Sequence, residues 1–238
     1  SIGKMVPLIP SAEIEKDPLV VFAEPYNTLI LDSRDFRNPI PDVKGLAPKN
    51  NIKAWVDRKA FIHNLGHATA AYYGFYRHPG MTYMHEILED PEVLSFTRNV
   101  ILQSADILSF IYPDDLPLNE LKEHADDLLK RFRNKALQDT VFRVGSDLCR
   151  KLASDDRFMG IVNLAVKYGM RYDLILKAFT FGFRFKARDE NGRMFTDDIR
   201  FHEKAEKDLN EVFTILLNFD IEKDSSLIQE INLELKKI

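Results

Sequence analysis

The stretch Asn51-Ile-Lys-Ala-Trp-Val-Asp-Arg-Lys59-Ala-Phe-Ile-His63-Asn64-Leu-Gly-His67-Ala-Thr-Ala-Ala-Tyr-Tyr-Gly74 decides how this chain is read. It is rich in Ala, Phe, Ile, Leu and Tyr around most of a helical circumference, which belongs to a helix in the middle of a bundle. Asn50 or Asn51 can cap its start and Gly74 can stop it, so a helix is expected from about 51 to 74. Within it, Lys59, Asn64 and His67 place an amine, an amide and an imidazole inside nine residues. Such groups are costly in apolar surroundings unless they have partners, so three together suggest a site.

Outward from this helix the prolines divide the chain. Seven of the 11 precede residue 50, and none follows Pro117. Proline breaks helices, so residues 1–50 should be extended and turn-rich, and residues 51–238 helical. Leu19-Val-Val-Phe-Ala23 and Thr28-Leu-Ile-Leu-Asp32 are β-rich runs on either side of Pro25-Tyr-Asn, expected as a hairpin or as edge strands. Two strands alone are marginal in water, so they must pack on something else. Further helices are expected at 83–89, 93–111, 118–133, 156–168, 172–186, 199–218 and 225–236. Leu121, Ala125, Leu128 and Leu129 carry the stripe of an amphipathic helix.

Composition excludes several classes. The chain has 238 residues, 45% hydrophobic and 29% charged, with a net charge of −4. No basic surface advertises nucleic acid. No apolar run approaches the roughly 18 residues needed to span a bilayer. Ser1 to Pro10 does not read as a signal peptide. Cys149 is the one cysteine; it forms no internal disulfide, which fits a reducing cytoplasm, and it rules out a zinc ribbon. No Gly-x-Gly-x-x-Gly and no Gly-Lys-Ser/Thr loop is present to cradle phosphates with backbone amides.

On a regular helix with Lys59 at zero, His63 falls at about 40°, His67 at about 80° and Asn64 at about 140°, one broad face. Trp55, Val56 and Ile62 would form an apolar collar around Lys59, and a desolvated lysine can act as a general base. Asn64 offers a donor to a developing alkoxide or a carbonyl oxygen. His67 could orient the lysine or bind a hydroxyl, and Gly66 leaves room for a close ligand. Three blander readings compete. The face can be solvated; His63 and His67, four apart, can bind a metal, though the usual Glu is missing; or the histidines can be core residues bonded to local carbonyls.

Two basic segments are weaker signals. Arg143-Val-Gly-Ser-Asp-Leu-Cys-Arg150-Lys151-Leu-Ala-Ser-Asp-Asp-Arg157 carries arginine forks that match phosphate geometry, with pairing to Asp147, Asp155 and Asp156 as the plain alternative. Arg184, in Phe183-Arg-Phe-Lys, lies near a helix end where basic residues complement the dipole.

With these residues in view, Lys-x4-Asn-x2-His at Lys59, Asn64 and His67 resembles the catalytic motif of the polyol-specific long-chain dehydrogenases. Asp17-Pro-Leu, Glu24-Pro-Tyr, Leu29-Ile-Leu-Asp32 and Asp42-Val-Lys-Gly-Leu look like that family too. Arg143-Val-Gly, Arg150-Lys-Leu and Asp156-Arg are similar to its branch acting on mannitol 1-phosphate. The likeness runs to about Tyr172 and is vaguer afterwards.

The resemblance implies a mainly α fold: the multi-helical C-terminal domain of 6-phosphogluconate-dehydrogenase-like type, preceded by a short β hairpin or strand pair. Residues 1–50 would connect to an N-terminal Rossmann domain that this chain lacks, and residues 51–238 would be the catalytic, substrate-binding domain. It implies a cytoplasmic, monomeric enzyme interconverting mannitol 1-phosphate and fructose 6-phosphate, with NAD held mainly by the other domain, no cofactor-binding residue here and no metal. Lys59 would be the base, Asn64 would polarise the oxygen and His67 would orient substrate. Arg143, Arg150, Lys151, Arg184 and Asp32 would bind substrate, with Glu24 another residue that could reach the site from the strands. Mannitol or an aldonate is the alternative substrate, and a helical interaction domain without catalysis the alternative role.

Overall fold

Proline-rich sequence and helical sequence separate in space much as the prolines separate them in the chain. The computed structural model describes residues 5–7, 9–24 and 28–238. A short exposed helix, α1 (Ser11–Lys16), follows Pro10. The run Leu19–Ala23 is not a strand, and Leu19 and Val21 face solvent. The turn Pro25–Asn27 on which a hairpin depends lies outside the described residues. The second run does form a strand, β1 (Leu29–Asp32), and its partner is β2 (Leu46–Lys49). The pair is parallel, from Leu29 opposite Leu46 to Asp32 opposite Lys49. Pro48 is tolerated because a two-stranded ribbon leaves one edge of each strand without a partner.

The decisive stretch is one continuous helical rod, longer than its sequence signals. It comprises α2 (Ile52–Arg58), a π-helical turn (Lys59–Asn64) and α3 (Leu65–Arg77). Asn51 is the residue before α2, but its side chain does not bond the helix; it donates to Asp115 instead, at 2.7 Å. Gly74 does not stop the rod. A Cβ there would lie 2.4 Å from Ile87 Cδ1, so the glycine lets α4 (Met84–Ile87) pack close. Gly66 has the same purpose: a Cβ would sit 2.5 Å from Ile101 Cδ1 on α5 (Pro91–Ile111), so the space expected for a ligand holds a neighbouring helix.

The rod is central, as its composition requires. Ile62, Leu65, Ala68, Ala70, Ala71 and Tyr72 are fully buried. Asp90 caps α5 by accepting the Glu92 N–H, with Pro91 in the first turn. In α6 (Leu118–Phe132) the stripe Leu121, Ala125, Leu128 and Leu129 faces the core. Two helices missing from the sequence reading are single turns, α7 (Val141–Gly145) and α8 (Leu148–Lys151). They are too short to show a period. Beyond them come α9 (Met159–Tyr168), ended by Gly169 in the left-handed region, and α10 (Asp173–Gly182). The segment expected as one helix over 199–218 is divided: α11 (Thr196–Lys207) stops at Asp208, whose carboxylate caps α12 (Leu209–Glu211), followed by a second π turn (Val212–Leu216). The last helix is α13 (Ser225–Leu235). Among the described residues, no helix is long and apolar enough to cross a membrane.

Candidate active site

The π turn coincides with the polar cluster and realigns it. Leu65 N–H donates to the Ala60 carbonyl, five residues back, so the rod takes up one extra residue between Lys59 and Asn64. One extra residue delays every later position by about 100°. On that phase Asn64 falls about 40° from Lys59 and His67 about 20° to its other side, a much narrower fan than a regular helix gives. π turns recur at functional sites for this kind of re-aiming.

The aligned groups open on a cavity of about 500 Å³ lined by Lys59, His63, Asn64, His67, Arg143, Val144, Arg150, Lys151, Arg157, Met5 and Val6. Six of the residues singled out from sequence therefore meet in one place: Lys59, Asn64, His67, Arg143, Arg150 and Lys151. Among the described residues, Lys59 Nζ and the Asn64 amide form no hydrogen bond or ion pair. The expected collar is only partly present. Ile62 is fully buried, Val56 is exposed, and the Trp55 ring carries Lys49 and Arg58 on its face.

His67 is stacked on Phe132, ring centroids 4.4 Å apart, with Nε2 3.3 Å from Asp139 Oδ2. That approach is short enough for a hydrogen bond but is not aligned as one, since Nε2 is otherwise buried without a partner. Burial pushes the His67 imidazole below its ordinary range, and Asp139 offsets this only in part. His63 stands edge-on to the same Phe132 ring, and burial, with His67 and Arg131 nearby, pushes it down to about 2. Both rings are thus neutral at neutral pH. Among the described residues no group of three His, Cys, Asp or Glu is placed to hold a metal ion.

The facing wall is cationic and held by carboxylates. Burial raises Asp139, but the contacts with His67 and Arg143 outweigh it and hold the carboxyl below its usual range. Arg143 Nε donates to Asp139 at 2.6 Å, Arg150 Nε to Asp147, and Arg157 Nε to Asp156 at 2.8 Å. The pairing expected as the plain alternative is real, yet it engages chiefly the Nε side of each fork. Lys151 is buried and donates to the Val144 carbonyl at 2.6 Å. Burial first, then Arg157 and Arg150, push it down to about 7. The strap 82–84 fixes this wall: Met84 N–H donates to the Asp139 carbonyl, Val141 N–H to the Thr82 carbonyl, and the Thr140 hydroxyl accepts from Arg143 N–H.

Two expected substrate residues lie elsewhere. Arg184 donates to the Ile238 carbonyl at 2.7 Å. Asp32 is bound by Arg34 and borders a small hollow with Leu31, Asp35 and Phe36. Glu24 does not line the cavity either; it is buried, pairs with Arg131 and accepts the Met5 N–H at 2.6 Å, so it anchors the segment that supplies Met5 and Val6. Asp139 is the neighbour of this site that the sequence does not reveal. Arg157 was visible as one more cation of its segment, but Asp139 sits 72 residues from His67 with no local sign of the contact. A second cleft of about 550 Å³ lies between α10 and α13. Its polar groups bond each other, Arg171 with Asp173, Tyr172 with Glu230 and Lys237 with Glu234, so it offers little unspent chemistry.

The chain is thus a multi-helical domain in which an amine, an amide and an imidazole share one cavity with three arginines and a second lysine. Residues 51–238 match the mannitol dehydrogenase C-terminal domain, and the chain belongs to that family. It is 27% identical over 235 residues to the mannitol-1-phosphate 5-dehydrogenase of Thermoanaerobacter pseudethanolicus, covering 97% of this chain and 57% of the relative. It is 26% identical over 239 residues to the enzyme of the same name from Aureobasidium melanogenum, covering 100% and 58%. The chain thus spans little more than half the length of these curated relatives. Among solved structures it superposes on Pseudomonas fluorescens mannitol 2-dehydrogenase, in ternary complex with NAD and D-mannitol, with a TM-score of 0.69 at 20% identity, covering 98% of this chain and 50% of that one. A substrate-free D-sorbitol dehydrogenase gives 0.73 at 20% identity, covering 98% and 49%. At that identity the likeness is one of fold.

Proposed function

We propose that this chain is the catalytic and substrate-binding part of an NAD-dependent polyol-phosphate dehydrogenase that interconverts mannitol 1-phosphate and fructose 6-phosphate. The observation that carries the reading is the meeting of Lys59, Asn64 and His67 with Arg143, Arg150, Lys151 and Arg157 around one cavity.

Lys59 is the base. It exchanges a proton with the reacting hydroxyl, a task suited to an amine that no carboxylate ties down. Asn64 donates to the same oxygen as charge develops on it. His67, neutral and oriented by Phe132 and Asp139, hydrogen-bonds a neighbouring hydroxyl. The four cations opposite hold the phosphate dianion, which calls for several charge-assisted donors. Each arginine of that wall keeps guanidinium N–H groups beyond those its aspartate engages, donors that a phosphate can use and a free polyol cannot match in charge, which favours the phosphorylated substrate over mannitol; the 20%-identical fold likeness to a mannitol 2-dehydrogenase keeps mannitol as the second reading.

The residues present do not fit a whole dinucleotide. The sheet among the described residues is the β1–β2 ribbon, and the sequence has no Gly-x-Gly-x-x-Gly turn. In this reading NAD is held mainly by chain outside these 238 residues. The test is NADH oxidation by the full-length protein with fructose 6-phosphate, fructose and tagaturonate side by side. Preference for fructose 6-phosphate is expected; equal rates with fructose would overturn the phosphosugar reading.

A further inference from the structure

We propose that Asp198, on α11, is a positioning residue for the anion-binding wall: it fixes the backbone at Asp147–Leu148 from which Arg150 and Lys151 reach the cavity. The proposal rests on the reading of that wall as the sugar-phosphate site. It deepens that reading by assigning a role to a residue remote in sequence and absent from the cavity lining.

Asp198 is only 2% exposed. Its Oδ1 accepts the Leu148 N–H at 2.7 Å and its Oδ2 accepts the Asp147 N–H at 3.2 Å. Among the described residues it forms no ion pair. A buried carboxylate without a cation against it is costly, and burial raises its carboxyl to about 6 despite the two N–H donors. Such a group persists where its removal would leave something else unsupported.

What it supports is an awkward piece of backbone. Asp147 lies at φ 75° and ψ 54°, the left-handed region, which is strained for a non-glycine residue. That conformation turns the chain from α7 into α8. It also frees the Asp147 carboxylate to hold Arg150 Nε, while the Asp147 carbonyl accepts the Lys151 N–H at 3.0 Å. One residue thus carries a bond to each of the two adjacent cations, and Asp198 holds that residue and the next by their N–H groups. Without it, a buried donor at Leu148 and a half-buried one at Asp147 lose their acceptor, and the left-handed turn loses what fixes it.

The test is calorimetric titration of the full-length protein with sulfate and with mannitol 1-phosphate. Asp198→Asn should bind both about tenfold more weakly, the scale of one misplaced charge-assisted hydrogen bond, with its thermal midpoint close to wild type. In an Arg150→Ala/Lys151→Ala background the same substitution should cost nothing further, because the residues it acts through are gone. Wild-type affinity in Asp198→Asn, or an undiminished weakening in the double-alanine background, would overturn the proposal. If Asp198→Asn does not fold, Asp198→Ser takes its place, since a hydroxyl can still accept one N–H. Loss of native circular dichroism in both would make Asp198 a folding residue and overturn the role. A wild-type protein that binds neither anion would sink the phosphosugar reading itself, and this proposal with it; failure of Asp198 alone appears only in the variants.

Discussion

The two walls of the cavity treat their polar groups in opposite ways. On the π-turn wall, Lys59 and Asn64 form no hydrogen bond within the described residues, and His67 has only a poorly aligned carboxylate neighbour. On the α7–α9 wall each arginine is tied through Nε to its own aspartate, and Lys151 to a carbonyl. A group that must exchange a proton or follow a changing oxygen has to be left free. A group that must hold a fixed charge is better locked, because its rotamer entropy is then lost on folding and not on binding. Under the proposed function the contrast puts chemistry on one wall and recognition on the other, and each assignment can be broken separately.

The largest effect should come from the free wall. Lys59→Ala in the full-length protein should lower turnover by about a thousandfold or more, the scale of a positioned proton-transfer group, while circular dichroism stays native. Retained turnover would remove Lys59 as the base. On the locked wall, Arg150→Ala should raise the Michaelis constant for fructose 6-phosphate by about ten- to a hundredfold, the worth of a charge-assisted hydrogen bond. Its effect on turnover at saturation should be smaller. If turnover fell and the Michaelis constant held, the division between the walls would be wrong.

How much of this was legible in the sequence follows the same contrast. The rod from Asn51 to Gly74 was readable because its apolar residues wrap a helix, and the cations of 143–157 because they crowd one segment. The π turn was not readable, since nothing in Lys59–Asn64 alone announces an extra residue; the regular wheel therefore spread Lys59 and Asn64 much too far apart. From sequence Gly66 suggests ligand space and Gly74 a helix stop, whereas both admit a neighbouring isoleucine that only the fold brings there. The first β run suggests a strand by propensity alone, and propensity cannot supply a partner; β1 finds one 17 residues further on, in a segment whose proline argues against it. Arg184 and Asp32 illustrate the limit of carrying roles without geometry: both are used locally, away from the cavity.

Asp139 is where the walls meet, and it gives the next test. It lies 3.3 Å from His67 Nε2 on one side and accepts Arg143 Nε at 2.6 Å on the other. Asp139→Asn should therefore disturb orientation and recognition together. We expect turnover to fall and the Michaelis constant to rise, each by severalfold to about tenfold. A change in one constant alone would show that Asp139 serves a single wall.

The smallest effect is a pH dependence confined to the locked wall. Lys151 is held down to about 7 by burial and by Arg157 and Arg150, with Asp147 and Asp198 pulling weakly the other way. Below about 7 it carries a proton and adds a positive charge to the wall; above, it is a neutral amine. Sulfate, whose own charge is constant across this range, should accordingly bind severalfold more weakly at pH 8.5 than at pH 6, less than a whole charge-assisted hydrogen bond is worth, because the neutral amine can still donate. The stability of the protein should run in the opposite direction. The unfolded lysine keeps its proton to a higher pH than the folded one, so the unfolded state binds more protons above about 7 and stability rises with pH through that interval. Lys151→Met should flatten the sulfate curve, leaving affinity near the high-pH value throughout, and should lessen the rise of stability above about pH 7, while the buried histidines keep their own contribution nearer pH 6. Calorimetry and thermal unfolding at both pH values test the pair of signs together. If sulfate affinity were independent of pH in the wild type, the charge on this wall would belong to the three arginines alone, and the locked wall would be locked in protonation as well as in geometry.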